Sequence, residues 1–564
     1  MSTNTSPVLS PQGYERYLIG IAGLGGLLYG IDVGIISAAL LYLGKTISLS
    51  LGQTSAIVAA VLGGSMLSSL VAGFLADWLG RKTMVIVSAS LFVGSIALIV
   101  GSHGFVGLFL GRLLQGASGG VIAVVIPLYL AECLSAKSRG KGSGVFQLML
   151  TIGIVIAAAS GWYYTQHAEA AITQAAGNAA LIRAAQEHAW RGMFFSVIYP
   201  GILFFAGSFF LEETPRWLFQ HRSAERALVS LRRTSTEAEA MLQLREMETL
   251  QTDEGKQGSA GESLLQRRYV LPFVLACIVL VCNQTTGINS ILGYLAIILR
   301  QAGMSATHAT QADLLVKLMN CAMTFVAVWL VDRKGRKFLL TLGTAGIVVA
   351  LLGGGLVFRS LEAKRVNVTA DVQGLVHGNS LSLTPDILHG YDGTVAGAKV
   401  LTVLYSYGQG EQLATVLSDA GSEAVHIAPT AAKPDAQLQV KRAFYAPVPG
   451  ESTGWIMTAC LALFIASFAV GPGVVVWLAL SELMPTRIRS GGMGVALLLN
   501  QGASTLIAGL FLPTVGNYGY SAMFLFWTVC TVLYFVTAKF FLPETKGKTL
   551  EEIERLFEAP GMTG

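Results

Sequence analysis

Two charged side chains stand where a chain seldom places charge. Asp32 lies in the middle of the apolar run Leu27-Leu-Tyr-Gly-Ile-Asp32-Val-Gly-Ile-Ile, and Arg112 in the early part of another, Gly111-Arg-Leu-Leu-Gln-Gly116. If those runs cross a bilayer, each charge costs about 2.5–3.5 kcal/mol even on lenient insertion scales, so the acid and the base are natural partners. They are either a static ion pair or a proton carrier with the base that controls its acidity. Lys317 reads as close to a helix end, free to snorkel, and structural. Amides cluster next, in Cys282-Asn-Gln284-Thr-Thr-Gly287-Ile-Asn289-Ser290, with Gln147, Asn320, Asn500 and Gln501 in other runs. An amide donates and accepts, which suits a neutral polyhydroxylated ligand better than an ion. Each alone is more often glue between helices; spread over several helices of one bundle, they favour a polar central cavity. Trp477, four residues before Ser481-Glu482, would offer an aromatic plate to the apolar face of a sugar ring.

The composition sets the environment of these residues. Hydrophobic residues make up 53% of the 564 and charged ones only 13%, against roughly 25% charged in soluble domains. The net charge of +5 matters less here than its placement. The six Cys lie in or beside apolar runs without metal-ligand spacing and read as packing residues. None of the eight His lies in mid-run, so neither haem nor metal is expected. Enzymatic signatures are missing: no phosphate-binding loop, no dinucleotide fingerprint on a βαβ unit, and no nucleophile, His and acid that could meet in the membrane region. Gly353-Gly-Gly355 is a lone glycine cluster. Met1–Gln12 is short and polar, without a basic region or cleavage site, and reads as a cytosolic tail rather than a signal peptide.

Stretches long enough to cross a bilayer, about 20 residues, occur near 17–42, 55–76, 84–100, 105–130, 144–163 and 193–211. Six more occur near 270–299, 314–331, 338–358, 454–480, 493–515 and 521–542. Backbone polar groups in lipid need internal partners, so these are helices. Basic residues follow the even-numbered ones (Arg81/Lys82, Lys137/Arg139/Lys141, Arg333/Lys334/Arg336/Lys337, Arg487/Arg489), while Ser102-His-Gly104 and Gly516-Asn-Tyr518 carry none. By the positive-inside rule both termini face the cytoplasm.

The two sets of six are copies. Gly73-Phe-Leu-Ala-Asp77-Trp-Leu-Gly80-Arg81-Lys82 returns as Val328-Trp-Leu-Val-Asp332-Arg-Lys-Gly335-Arg336-Lys337, with Asp, Gly, Arg and Lys in the same register. Gly permits a tight turn, and the acids and bases can pair with neighbouring segments at the membrane edge. Glu132 before Arg139-Gly140 matches Glu482 before Arg489-Ser490, and Glu213-Thr-Pro-Arg216 loosely matches Glu544-Thr-Lys-Gly547. Fixed-register repetition marks a duplicated protein. The interval from Asp77 to Glu132 is nearly tripled between Asp332 and Glu482, which locates an insertion, 360–452, outside the membrane. Its β-like runs, Val400–Tyr405 and the alternating Gln437–Lys441, predict a small folded external domain rather than a disordered loop. Asn367-Val-Thr369 is a glycosylation sequon by pattern only. The joining segment 214–268 is rich in Arg and Glu and reads as cytoplasmic helices, and the Ala-rich 164–189 as a helical outer loop.

With these motifs the chain resembles the sugar porter family of the major facilitator superfamily, which includes bacterial proton/sugar symporters and glucose facilitators. The resemblance rests on the two Asp-x-x-Gly-Arg-Lys loops, Pro127-Leu-Tyr-Leu-Ala-Glu132, Phe146-Gln147, Glu213-Thr-Pro-Arg216-Trp217-Leu218, Gln284-x-x-Gly287-Ile288-Asn289, Ser481-Glu482-x-x-Pro485 and Pro543-Glu-Thr-Lys-Gly-Lys-Thr-Leu-Glu-Glu-Ile553. It implies two halves rocking around a midplane site. By position it assigns sugar contact to Gln147, Gln284, Asn289, Asn320 and Trp477, with Tyr29 lining the site; Asn500 joins them as one of the clustered amides. It matches Asp32 to the acid of proton-coupled members and Arg112 to its partner. It places Asp77, Arg81, Glu132, Arg139, Glu213 and Arg216 in a cytoplasmic ion-pair lock, mirrored by Asp332, Arg336, Glu482, Arg489 and Glu544. Such locks are implied to hold the outward-open state and to break on the inward swing. Several positions depart from the family: Asn283 replaces one Gln of a pair, Gly293-Tyr294 replaces two Tyr, Val474-Val-Val476 follows Gly471-Pro472-Gly473, and Gln501 stands at a family Trp.

The fold expected is therefore all-α integral membrane, twelve transmembrane helices in two six-helix halves, with a cytoplasmic helical linker and an inserted external segment. Its boundaries are 1–16 (tail), 17–213, 214–268 (linker), 269–542 containing 360–452, and 543–564 (tail). The function expected is proton-coupled import of a hexose, pentose or polyol across the bacterial inner membrane by a monomer. No cofactor is expected beyond the proton, and no nucleic-acid partner. A passive uniporter and a transporter-like sugar sensor are the alternatives.

Overall fold

The computed structural model describes the backbone of residues 10–134, 136–254, 267–384, 398–408, 410–417, 425–429, 437–484, 489–546 and 552. Among these described residues are 12 helices or helix pairs long and apolar enough to cross a membrane. The first half comprises α1 (Pro11–Gly34), α2 (Ile36–Thr46), α3 (Leu51–Leu79), α4 (Arg81–Gly101), α5 (Phe105–Cys133), α6 (Ala136–Gln174), α7 (Ala179–Ser196) and α8 (Ile198–Ser208). The linker forms α9 (Pro215–His221), α10 (Ala224–Leu231) and α11 (Glu237–Glu254). The second half begins with α12 (Arg267–Thr285), α13 (Ile288–Gln301), α14 (Ala306–Lys334) and α15 (Arg336–Glu362). After the insertion and its helix α16 (Thr369–Gly374) it ends with α17 (Glu451–Val470), α18 (Pro472–Leu483), α19 (Arg489–Tyr518) and α20 (Tyr520–Val536).

The first span of each half is interrupted. α1 gives way to α2 at Ile35, and α12 to α13 at Thr286-Gly287, where Gly287 has φ +82. A residue with a Cβ would fail there: the added carbon would lie 2.4 Å from the Trp527 ring. Behind its break α1 is fused to α6. Gly26, Gly30 and Gly34 share one face, four residues apart, and meet the backbone of Phe146, Leu150 and Ile154, spaced alike. A methyl on Gly30 would sit 1.9 Å from the Leu150 carbonyl oxygen. Small residues thus let two helix backbones touch, the means by which helices associate where no hydrophobic drive separates them from lipid.

The halves are joined on the side that carries the insertion. Ser55 of α3 accepts from the Leu512 amide of α19 at 3.1 Å and pairs with the Tyr294 hydroxyl of α13 at 3.3 Å. At mid-level the Cys321 thiol lies 3.6 Å from the Thr151 hydroxyl, joining α14 to α6. The Ala-rich stretch extends α6 and begins α7. Both extensions bond to α2, the Tyr42 hydroxyl donating to Glu169 at 2.8 Å and the Trp190 indole to Thr46 at 2.9 Å.

The insertion holds β1 (Val366–Asn367), β2 (Leu381–Leu383), β3 (Lys399–Ser406), β4 (Glu411–Leu417), β5 (Val425–Ile427) and β6 (Gln439–Pro447). A four-stranded antiparallel sheet runs β1-β6-β3-β4, and β2 pairs with β5. Alternation sends Leu401 and Val403 of β3 inward with Tyr445 and Ala443 of β6 and Val416 and Ala414 of β4, over Val372 of α16. The sequon forms a local turn, Asn367 Oδ1 accepting from the Thr369 amide at 3.0 Å. The sheet rests on both halves: Glu411 accepts from Asn517 of α19 at 2.9 Å, and Gly410 lies against Ser50 before α3.

Candidate functional site

The end of α1 carries Asp32 and α5 carries Arg112, each 1% exposed. The fold brings them together but not as an ion pair. Both terminal guanidinium nitrogens lie 3.4 Å from the backbone carbonyl of Asp32, and one donates to Gln115 Oε1 at 2.6 Å. Among the described residues neither carboxylate oxygen of Asp32 has a hydrogen-bond partner. The Phe194 ring lies 5.8 Å from the guanidinium carbon, and Gly119, seven residues beyond Arg112, leaves room for Tyr29 and Asp32. A charge held this way needs a companion, because a bare buried carboxylate is costly. A proton or the nearby guanidinium can supply it.

The second half answers with amides. Gln284 and Asn289 bracket the break between α12 and α13, and Asn289 Nδ2 donates to Gln284 Oε1 at 3.0 Å. Gln284 Nε2 donates to Asn500 Oδ1 of α19 at 3.2 Å, and Asn500 Nδ2 to the Leu280 carbonyl at 2.9 Å. Asn289 Nδ2 also reaches Ser504 Oγ at 2.7 Å. Ser504 was not singled out in the sequence; its place one turn from Asn500 on α19 is the signal that could have found it. Gln147, exposed, and Asn320, half-buried, flank the Thr151–Cys321 contact at mid-level, Gln147 one turn from Thr151. The side chain of Trp477 lies outside the described residues.

Lys317 does not snorkel. It lies within α14 at 0% exposure and pairs with Asp313, one turn earlier, at 2.8 Å. Asp313 does not stand out by itself in the sequence; Asp-x-x-x-Lys inside an apolar run, the sequence form of a helical ion pair, is the signal that marks it.

At the end bearing the termini, the repeated loops form matching corners. Gly80 turns at φ +95 and Gly335 at φ +91, each giving way to a carboxylate. Glu213 accepts from the amides of Arg81 at 2.8 Å, Lys82 at 3.1 Å and Thr214 at 2.9 Å. Glu544 accepts from Arg336 at 3.0 Å, Lys337 at 3.1 Å and Lys546 at 3.0 Å. Each acid thus caps the start of a helix, α4 or α15, where unpaired amides and the helix dipole favour an anion. Burial pushes the Glu213 carboxyl above its ordinary range, against the pull of those amides. Arg81 bridges Asp77 at 2.8 Å and Glu132 at 2.9 Å, and Thr214 donates to Glu132 at 2.6 Å. These described pairs lie within the first half and its linker; they do not clamp one half to the other. Arg216 is exposed. The side chains of Arg139, Asp332, Glu482 and Arg489 lie outside the described residues. A third corner of the same build was not read from the sequence. Gly519, φ +88, precedes α20, and Glu362 caps it through the Tyr520 amide at 2.7 Å.

A family model described as "Sugar (and other) transporter" matches residues 18–375 and 436–557, both halves and the two ends of the insertion. The chain belongs to the sugar transporter family. It is 28% identical to the glucose transporter GlcP of Staphylococcus epidermidis over 96% of this chain and 97% of that one. It is also 28% identical to the galactose-proton symporter of Escherichia coli K12, over 95% and 92%. The inward-open structure of the xylose transporter XylE from Escherichia coli superposes with a TM-score of 0.67 at 22% identity, covering 96% of this chain and all of that one. The chain is thus a multi-pass membrane protein of the major facilitator fold, and its relatives are transporters, not enzymes.

Proposed function

We propose that this transporter is a symporter that imports a sugar or polyol together with a proton, by alternating access, through a bacterial inner membrane with both termini in the cytoplasm. The observation that carries the reading is the Asp32 carboxyl, buried and unpartnered beside an arginine that binds its backbone instead. A galactose-proton symporter among the relatives supports the coupling, and the mesh of Gln284, Asn289, Asn500 and Ser504 supports a polyhydroxylated ligand. Asp32 takes a proton from the insertion side, Arg112 keeps the end of α1 in place, and the sugar settles against the amides. The halves then tilt, and both cargoes leave toward the termini. The proton is the only coupling agent in this scheme, and one copy of the chain suffices for it.

One charge moved through 100 mV supplies about 2.3 kcal/mol, enough for roughly 50-fold accumulation at about 1.4 kcal/mol per decade. In proteoliposomes, Asp32→Asn should keep sugar counterflow while uphill uptake falls to equilibration. Uphill uptake at the parent level by the variant would refute the role of Asp32. Sugar flux without proton movement in the parent would make the protein a uniporter.

A further inference from the structure

α14 reaches across to the broken span of the other half. Lys317 Nζ, already paired with Asp313, donates to the carbonyl of Gly34 at 3.1 Å, the last residue of α1. Asp313 Oδ1 accepts from Ser37 Oγ at 3.2 Å in the first turn of α2, and Ser37 Oγ accepts from the Ala296 amide of α13 at 3.0 Å. Where α1 stops, its last carbonyls lose their helical partners; where α2 starts, its first amides have none. The helix dipoles make the first place negative and the second positive. The lysine faces the first and the aspartate the second, so the polarity of this pair matches that of the break it spans.

We propose that Asp313 and Lys317 form a charge latch that binds the second half to the broken end of α1 and α2 and holds the insertion-side mouth closed. The latch rests on the alternating-access reading above and adds to it a specific gate. Parting the halves at this mouth withdraws Lys317 from Gly34 and Asp313 from Ser37. Gly34 stands two residues from Asp32, so opening the mouth and freeing the helix end that bears the acid are one event. Arg112 and Lys317 grip neighbouring carbonyls of that end, at Asp32 and Gly34, one from each half.

The test reads the mouth directly and needs neither sugar nor proton gradient. Val58 of α3, buried and facing Gly293 of α13 across the halves, is changed to Cys in a chain whose six native Cys are replaced and which retains sugar counterflow. A membrane-impermeant maleimide is then added from the insertion side. Lys317→Met and Asp313→Asn should each speed labelling roughly tenfold, a one-decade shift in the open population. The exchange Asp313→Lys with Lys317→Asp keeps an ion pair on α14 but opposes both dipoles, and should label as fast as the neutral variants. Parent-rate labelling in folded neutral variants overturns the latch, and so does restoration of the parent rate by the exchange. Should the neutral variants fail to fold, Ser37→Ala removes the hydrogen bonds with Asp313 and Ala296 but leaves Lys317 on Gly34; it should label about threefold faster, and parent-rate labelling again overturns the proposal. Loss of proton coupling with labelling as expected would instead count against the symport reading alone.

Discussion

The two halves share a scaffold and differ in what they hold at their breaks. In the first, α1 and α5 bring Asp32 and Arg112 into the core; in the second, α12, α13 and α19 bring Gln284, Asn289, Asn500 and Ser504. The charged pair is incomplete, with carboxylate oxygens left over, whereas the amides close on one another. Under the proposed symport, that contrast would give proton chemistry to one half and ligand recognition to the other. The corners at Gly80 and Gly335 are the control, since both keep the same glycine, the same capping acid and the same number of described amide donors.

The sharpest way to break this division is to exchange its effects. Gln284→Leu strands Asn289 and Asn500 at about 1–3 kcal/mol. Sugar binding should weaken roughly tenfold to hundredfold, with the ratio of protons to sugar unchanged. Asp32→Asn should leave affinity within about threefold, half a decade or less. Equilibrium binding of labelled sugar, paired with proton-uptake traces, separates the two, and a changed ratio in Gln284→Leu would end the assignment. Next in size, Glu213→Gln and Glu544→Gln should each cost about 1–2 kcal/mol, seen as similar falls of a few degrees in melting temperature. A drop confined to one would show that the corners have diverged. Ser504→Ala removes a single acceptor and should weaken binding only about threefold, read in the same titration.

The smallest effect concerns the insertion. The hydrogen bond from Lys441 holds the Glu411 carboxyl below its ordinary value of 4.5. A depressed acid stabilises the folded form above that value and loses the contribution as pH falls through its own lower one. Protection from hydrogen exchange in β4, taken relative to the intrinsic rate at each pH, should therefore be steady above pH 4.5 and fall about fivefold or less in stronger acid, the scale of a surface pair. Glu411→Gln should remove the transition.

Much of this was legible in the chain. Twelve apolar runs and the doubled Asp-x-x-Gly-Arg-Lys loop define the bundle and its duplication, because lipid leaves the backbone little choice. Asp32, Arg112, Gln284 and Asn289 stood out because polar groups in such runs are costly. Partners did not. That Arg112 holds a carbonyl instead of the carboxylate, and that Glu362 caps α20 from across the insertion, depends on contacts between segments far apart in sequence. The breaks differ in the same way: Gly287 announces one by its left-handed φ, while the other falls at Ile35 with helical dihedrals and is bridged by Asp313 and Lys317 of α14 from the other half.

The glycine seam between α1 and α6 carries a mechanical corollary. Backbones in direct touch at Gly26, Gly30 and Gly34 leave no side-chain cushion to absorb sliding or rotation. The acid is thus mounted on a stiff double strut, and whatever displaces it must carry the whole slab, so a small push at one rim is delivered undamped to the other.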